Sequence, residues 1–272
     1  MGADTGILKD GMKIRAGVEA AGLTDIGCQR ENNEDHFAFW EPDSESEFLQ
    51  KGRLAVVADG MGGYEGGQVA SGLAVNTVID VYSKSSSSGP QAVLLSALKA
   101  AHERIREEAT ATPNLYGMGT TCTAVVIVAR NLFFAHVGDS RLYLVRAGAL
   151  TQLTRDHSYV GRLVESGLIS RDEAEFHPQR HILTAALGTV GELITDSPET
   201  PFPLEPGDTL ILCTDGLWGQ VRDEELARIA NHASPAEICS ELVKLARERG
   251  GPDNITLEVI RMGLHSENGP SS

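Results

Sequence analysis

Short runs of β-branched and aliphatic residues, each closed by a turn residue, punctuate the chain. Such runs predict strands. They cover Leu54 to Ala58, ending at Asp59, then Thr121 to Val128, and Leu132 to Val137 after a turn at Arg130-Asn131. Arg141 to Arg146 turns at Ala147-Gly148 into Leu150 to Leu153; Thr209 to Cys213 ends at Thr214-Asp215; Asn254 to Ile260 follows Asp253. The close spacing from Thr121 to Leu153 predicts an antiparallel meander. Other segments have helical spacing. Val69, Leu73, Val78 and Val81 lie near one face of a helix from Gln68 to Tyr82, and Val93, Ala97, Ala101 and Ile105 mark a second opening at Pro90. Asp223 is the expected cap of a helix over Glu224 to His232, and Ser234-Pro235 opens one from Ala236 to Arg249 that stops at Gly250-Gly251. Paired helices separated by blocks of strands predict an α+β fold with antiparallel sheets rather than alternating βαβ units. A layered sandwich with helices outside fits this order.

Residues 1–16 are expected to be a loose segment, 17–262 a single domain and 263–272 a disordered tail. Ser85–Ser88 with Gly89-Pro90 reads as a link between two helices. The chain has 272 residues, 41% of them hydrophobic, which suits a globular domain with a substantial core. Aromatics are 5%, so that core must rest on Val, Leu, Ile and Ala. A net charge of −15 would repel nucleic acid. Most of that charge reads as a solvated surface; the sharper alternative is a set of carboxylates converging on cations. Cys28, Cys122, Cys213 and Cys239 form neither a C-x-x-C pair nor a zinc-finger spacing, and two of them sit in apolar runs, as in a reducing compartment. No apolar run approaches the ~20 residues of a membrane span. The N-terminus lacks signal-peptide order, and Gly6 breaks the myristoylation pattern. A cytoplasmic protein without membrane contact is expected.

Position makes the acidity informative. Asp59, Asp139, Asp215 and Asp253 each stand beside an apolar strand, next to a glycine, proline or small polar residue. One such Asp is ordinarily a turn former. Four gathered at one edge of a sandwich would repel strongly, and cations would remove that cost. Hard carboxylate oxygens favour Mg²⁺ or Mn²⁺ over zinc. Gly60, Gly62, Gly63, Gly66 and Gly67 crowd behind Asp59, either as a flexible loop or as backbone brought close to an ion or phosphate. In the second case the Gly60 carbonyl could be a ligand. No Gly-Lys-Ser/Thr ends this stretch, so it is not a Walker loop.

Seven ordered segments resemble the type 2C metal-dependent protein phosphatases, the PPM family, and most closely its bacterial branch. They are Arg30-Glu-Asn-Asn33-Glu34-Asp35, Asp59-Gly-Met-Gly-Gly63, Gly119-Thr-Thr-Cys-Thr123, Val137-Gly-Asp-Ser-Arg141, Leu153-Thr-Arg-Asp-His157, Thr214-Asp-Gly-Leu217 and Asp253-Asn-Ile-Thr256. The resemblance runs from about Gly22 to Ile260. It implies a four-layer α-β-β-α sandwich with two central antiparallel sheets, and a flap at about 159–187. It also implies a Ser/Thr protein phosphatase in which a hydroxide held by two Mn²⁺ or Mg²⁺ ions attacks phosphorus. On the matching positions, Asp59 bridges the two metals, Gly60 lends its carbonyl, and Asp215 and Asp253 complete the second site. Glu34 and Asp35 hold metal-bound waters, Asp139 serves a third metal with Asp215 shared, and Arg30 grips the substrate phosphate. In the flap, His177 and Arg180 are candidate substrate contacts, weighed against a plain surface loop. Expected partners are phosphorylated proteins, with a Ser/Thr kinase or an anti-sigma antagonist in the pathway, and the expected state is a monomer.

No C-x5-R loop is present, which disfavours tyrosine-phosphatase chemistry. His136 is expected to be a hydrogen-bonded core residue, His157 to bond locally, Asp196 and Asp208 to form turns, and Trp218 to anchor packing. Tyr64 stands where many bacterial relatives carry His. The competing class is a pseudophosphatase that binds phosphoproteins without hydrolysis. It should have lost metal aspartates or Arg30, and this chain keeps them.

Overall fold

A computed structural model of the chain describes residues 6–7, 14–62, 65–87 and 89–264. The tail expected beyond residue 264, and Gly63 and Tyr64, lie outside the described residues. The strands are β1 (Gly6–Ile7), β2 (Val18–Asp25), β3 (Asp35–Trp40), β4 (Arg53–Met61), β5 (Gly119–Thr120), β6 (Cys122–Val128), β7 (Asn131–Val137), β8 (Arg141–Arg146), β9 (Ala149–Gln152), β10 (Phe202–Pro203), β11 (Thr209–Cys213) and β12 (Ile255–Met262). They form two antiparallel sheets. One runs β1-β2-β12-β11-β8-β9; the other runs β10-β7-β6-β4-β3, with β5 paired to the end of β4. The short helix α1 (Glu45–Lys51) precedes β4; the helices α2 (Gly66–Lys84) and α3 (Pro90–Ala111) cover the β4 sheet, and α7 (Asp223–His232) and α8 (Pro235–Glu248) cover the β12 sheet.

Alternation along the strands builds these layers. On β4, Leu54, Val56 and Ala58 pack with α2 and α3, while Ala55 and Val57 face the second sheet. On β11, Ile211 and Cys213 face the α7–α8 side, while Leu210 and Leu212 enter the space between sheets. Both faces of each sheet are therefore apolar, and the central strands read as unbroken hydrophobic runs. Each fully buried Leu or Val contributes about 1.5–3 kcal/mol. The result is the expected α-β-β-α sandwich.

Several local expectations change. Asp223 is the first residue of α7 rather than its cap. The strands β2 and β3 were not among the predicted runs, because Ala20, Ala21 and Gly22 carry little β-propensity and Asp35-His36 breaks the second pattern. Within the segment expected to be loose, Gly6–Ile7 pairs with Thr24 and Leu23 of β2. Residues 15 and 16 are also held: Arg53, 2% exposed, binds Glu41 Oε1 at 2.7 Å and the Ala16 carbonyl at 2.5 Å. The guanidinium groups of Arg15 and Arg53 both lie against the Phe48 ring, at 4.9 and 4.7 Å. The segment expected to be a flap holds two short helices, α4 (Tyr159–Glu165) and α5 (Arg171–Glu175).

One acid breaks the apolar rule. Glu258 of β12 is 1% exposed, and both its oxygens lack a hydrogen bond of normal geometry. Burial pushes its carboxyl well above the usual range, with only the Val56 backbone opposing. The folded state thus keeps a proton that the unfolded chain loses above pH ~4.3, so stability falls as pH rises through that window. Glu258→Gln should remove this slope. Chemical denaturation from pH 4 to 8 should show the variant gaining on the wild type by up to about 1.4 kcal/mol per pH unit, with no gain below pH ~4.

Candidate metal centre

Three strand ends and two strand starts bring five carboxylates together. Asp59, near the end of β4, pairs in register with Asp35, the first residue of β3. Asp139 lies in the turn between β7 and β8. Asp215 directly follows Thr214 at the end of β11 and starts a single turn, α6 (Asp215–Trp218). Asp253 immediately precedes Asn254 and β12. The acids are close enough to act on one another. Burial first, and then Asp35, Asp215, Asp139 and Asp253, hold the Asp59 carboxyl well above its usual range. Burial and Asp215 do the same for Asp139. Burial pushes Asp35 up to about 7, and burial with Asp253 raises Asp215.

Neutral donors hold this arrangement. The Asp59 N–H donates to Thr121 Oγ1 at 2.9 Å, and its carbonyl accepts from the Thr121 N–H and from Thr120 Oγ1, at 2.9 and 2.8 Å. Thr214 Oγ1 donates to Asp35 Oδ2 at 2.8 Å. Trp218 Nε1 donates to the Asp139 carbonyl at 2.9 Å, and the Arg141 guanidinium stacks on the Trp218 ring at 3.7 Å. Arg141 is itself committed to Asp156, at 3.0 Å from Nε and 2.7 Å from Nη2. Asn254 Oδ1 accepts the Glu34 N–H at 2.8 Å, while its Nδ2 donates to the Ile26 and Asn32 carbonyls at 3.0 Å. Two glycines permit close approach. A Cβ on Gly67 would lie 2.8 Å from the Gly60 oxygen and 2.7 Å from Glu34 Oε1, so these two oxygens share bare backbone at the start of α2. Gly138 has φ +108°, and a Cβ there would lie 2.5 Å from Thr121 Cγ2.

The residues fit divalent cations on two observations. Asp215 Oδ1 is buried without a hydrogen-bond partner. Among the described residues no ion pair joins Asp35, Asp59, Asp139 or Asp215, and Arg30 reaches Asp253 Oδ2 instead, at 2.7 Å. A donor set of carboxylates plus a backbone carbonyl suits a hard ion such as Mg²⁺ or Mn²⁺. Among the described residues no three His, Cys, Asp or Glu side chains close into a finished ligand cage. The fit therefore rests on charge and on the orphaned oxygen.

The other expected residues separate. His136 is fully buried, bonded to Thr123 Oγ1 at 2.8 Å and to the Gly138 and Arg155 carbonyls, and burial lowers it to about 4, so it stays neutral. His157 Nδ1 accepts the Gly138 N–H at 3.3 Å. Asp208 closes its turn on the Glu205 N–H at 2.7 Å, but Asp196 forms a bridge to His136 and binds Arg155 instead of a turn. His177 lies against Tyr159, with ring centroids 6.0 Å apart, and Arg180 is an exposed loop residue. The neighbouring His181 is the flap residue whose charge acts on Asp215. Sequence reasoning passed over it because no motif marks it. Asn254 and Thr214 stood inside quoted motifs, where only their neighbours had been given roles.

Comparison with known proteins identifies the family. The profile of the family described as Protein phosphatase 2C matches residues 29–255. The serine/threonine protein phosphatase PstP of Mycobacterium tuberculosis is 36% identical over 239 residues, 88% of this chain. The chain spans 44% of the length of that relative. The serine/threonine phosphatase stp of Listeria innocua is 34% identical, over 89% of this chain and 94% of its own. A crystal structure of the catalytic domain of PstP, in complex with two manganese ions, superimposes with a TM-score of 0.77 at 33% identity, covering 91% of this chain and 99% of that one. The chain belongs to the protein phosphatase 2C family, the metal-dependent protein serine/threonine phosphatases.

Cations that relieve the repulsion should stabilise the fold. Mn²⁺ at about a hundredfold excess over its Kd should raise Tm by about 5–10 °C, through about 2.7 kcal/mol of linkage. Asp59→Ala should lose most of that rise in a thermal melt, while its metal-free Tm should equal or exceed the wild type.

Proposed function

We propose that this chain hydrolyses phosphoserine and phosphothreonine on proteins at the Asp59 centre and thereby reverses Ser/Thr kinase signalling. The observation that carries the proposal is the group of four carboxylates, Asp35, Asp59, Asp139 and Asp215, each raised by burial and by a like-charged neighbour, with Asp253 and Arg30 at its rim. Two divalent cations bound there supply Lewis acidity, which lowers the pKa of a water and offsets charge on the phosphoryl oxygens. Asp59 is proposed as the shared ligand, with the Gly60 carbonyl on one side and Asp215 and Asp253 on the other. Glu34 and Asp35 hold water, and Asp139 with Asp215 would take a third ion.

Arg30 is proposed to grip the substrate. Its side chain is 48% exposed and sits beside Asp253, to which one nitrogen is bonded. A planar fork suits two phosphate oxygens at once. Asn254 fixes the carbonyls of Ile26 and Asn32 on either side of it, so the loop is held before substrate arrives. Burial and Arg141 contacts keep the third acid, Asp139, in one place through the Trp218 indole. The flap at about 159–187 joins the site at its feet. The His157 N–H donates to the Gly138 carbonyl at 2.7 Å, and the Tyr159 N–H to Ile182 at 2.8 Å. The substrates are phosphoproteins, with a Ser/Thr kinase or an anti-sigma antagonist as the pathway partner and the monomer as the working state. Among the described residues no helix is long and apolar enough to cross a membrane, which accords with a cytoplasmic site of action.

The deciding experiment is hydrolysis of p-nitrophenyl phosphate and a phosphothreonine peptide with Mn²⁺ or Mg²⁺, then with excess EDTA. Both should be hydrolysed only with metal. Asp59→Ala and Asp253→Ala should lower kcat at least ~10³-fold while remaining folded, and Asp139→Ala should lower it less. Full activity in Asp59→Ala, or none in folded wild type with any divalent ion, would reject the proposal; the second result favours the pseudophosphatase.

A further inference from the structure

The loop that carries Arg30 is fastened at its other end to the last turn of α8. Asp25 closes β2 and is buried, with its side chain 4% exposed. Arg247, in the last turn of α8 and 222 residues away in sequence, donates from Nη1 to Asp25 Oδ1. The same carboxylate oxygen accepts the Gly27 N–H at 2.8 Å. Gly27 has φ +80°, and a Cβ there would lie 2.1 Å from the Asp253 carbonyl, so loop and Asp253 touch at bare backbone. Next along, the Cys28 N–H donates to the Gly251 carbonyl at 2.8 Å and Gln29 Nε2 reaches the Gly250 carbonyl at 3.5 Å. Every residue from 25 to 29 except Ile26 thus makes a contact with the end of α8 or the turn after it, or with the acid that Arg247 holds. Ile26 is held by Asn254. Arg30 is the first side chain beyond this clasp.

We infer that the Asp25–Arg247 pair is a positioning device that sets where Arg30 presents its guanidinium to a substrate phosphate; the inference rests on Arg30 as the phosphate grip. The pair joins a carboxylate that is 4% exposed to an arginine that is 38% exposed, so its removal costs stability as well as position. Its geometric effect arises because one carboxylate oxygen joins a helix end to the first turn of the loop. A misplacement of about 1 Å in a group that must meet phosphate can cost up to ~10²-fold in rate. The Arg247 side chain donates to Asp25 at the foot of the loop, so its influence on phosphate is routed through the loop.

The test is a double-mutant cycle in the full chain with Mn²⁺, reading KM for a phosphothreonine peptide, Ki for inorganic phosphate, and kcat. Arg247→Met should raise KM and Ki by ~10-fold and change kcat by less than ~3-fold. Arg247→Lys should recover part of the loss. In an Arg30→Ala background, Arg247→Met should change Ki by less than ~2-fold, because the group it positions is gone. An equal effect in both backgrounds, or none in folded Arg247→Met, overturns the inference. Because Arg247→Met leaves Asp25 buried without its partner, circular dichroism melts accompany the kinetics. If that variant does not fold, Arg247→Lys decides the same cycle, with an expected rise of ~3-fold. If Arg30→Ala alone leaves Ki at the wild-type value, the assignment of Arg30 itself fails, and the clasp falls with it.

Discussion

Mutual repulsion among buried carboxylates governs this molecule. Asp35, Asp59, Asp139 and Asp215 are each raised by desolvation and by neighbours of the same sign, and Asp35 and Asp139 are buried outright. Left to themselves they would separate or take up protons. They do neither freely, because each sits at the end of a strand whose other residues are locked into an apolar layer. Asp59 cannot leave without moving Val57 and Ala58, both fully buried. Asp215 cannot leave without moving Leu212 and Cys213. Hydrophobic burial in the sandwich thus opposes an electrostatic cost at its end, and the difference is available to cations.

The groups that touch these acids sharpen that point. Thr121, Thr120, Thr214 and Trp218 are all neutral donors or acceptors. They fix position without cancelling charge. The arginine nearest Asp139 is turned instead to Asp156, which neutralises it. A salt bridge to each acid would have held the same geometry, but it would have used the charge that a divalent ion needs. Arg30 is the exception, and it stands at the rim where a phosphate dianion would also need a cation.

Much of this could be read from sequence, for physical reasons. Strands buried on both faces appear as continuous runs, so β4, β6, β7, β8 and β11 stood out, and the aspartates that end them stood out with them. β2 and β3 did not, since Ala21 and Gly22 make room for neighbours rather than carry propensity; a Cβ on Gly22 would lie 2.4 Å from the Phe37 ring. The cap of α7 was misplaced by one residue, within the ordinary uncertainty of helix ends. Pairing between elements far apart in sequence left no periodic signal. Nothing in the strand pattern places Arg53 on Ala16, Asp196 on His136, or His181 near Asp215. Those depend on loops whose course is set by tertiary contact.

The two halves of the site hang on different layers. The start of α2 covers the Gly60 and Glu34 oxygens through Gly67, and α2 belongs to the core shared with β4 and β6. The end of α8 holds the Arg30 loop through Gly250 and Gly251, and α8 belongs to the core shared with β11 and β12. The space between the sheets, filled by Val57, Val125, Leu142, Leu210 and Leu212, fixes one half against the other. A packing defect under α2 therefore acts first on the oxygens that would face a cation. A defect under α8 acts first on the guanidinium that would face phosphate. A defect between the sheets changes the distance between them. The Gly60 and Glu34 oxygens and the Arg30 loop thus rest on separate hydrophobic cores, while Asp215 and Asp253 share the α8 side with Arg30 and meet Asp59 only across the packing between the sheets.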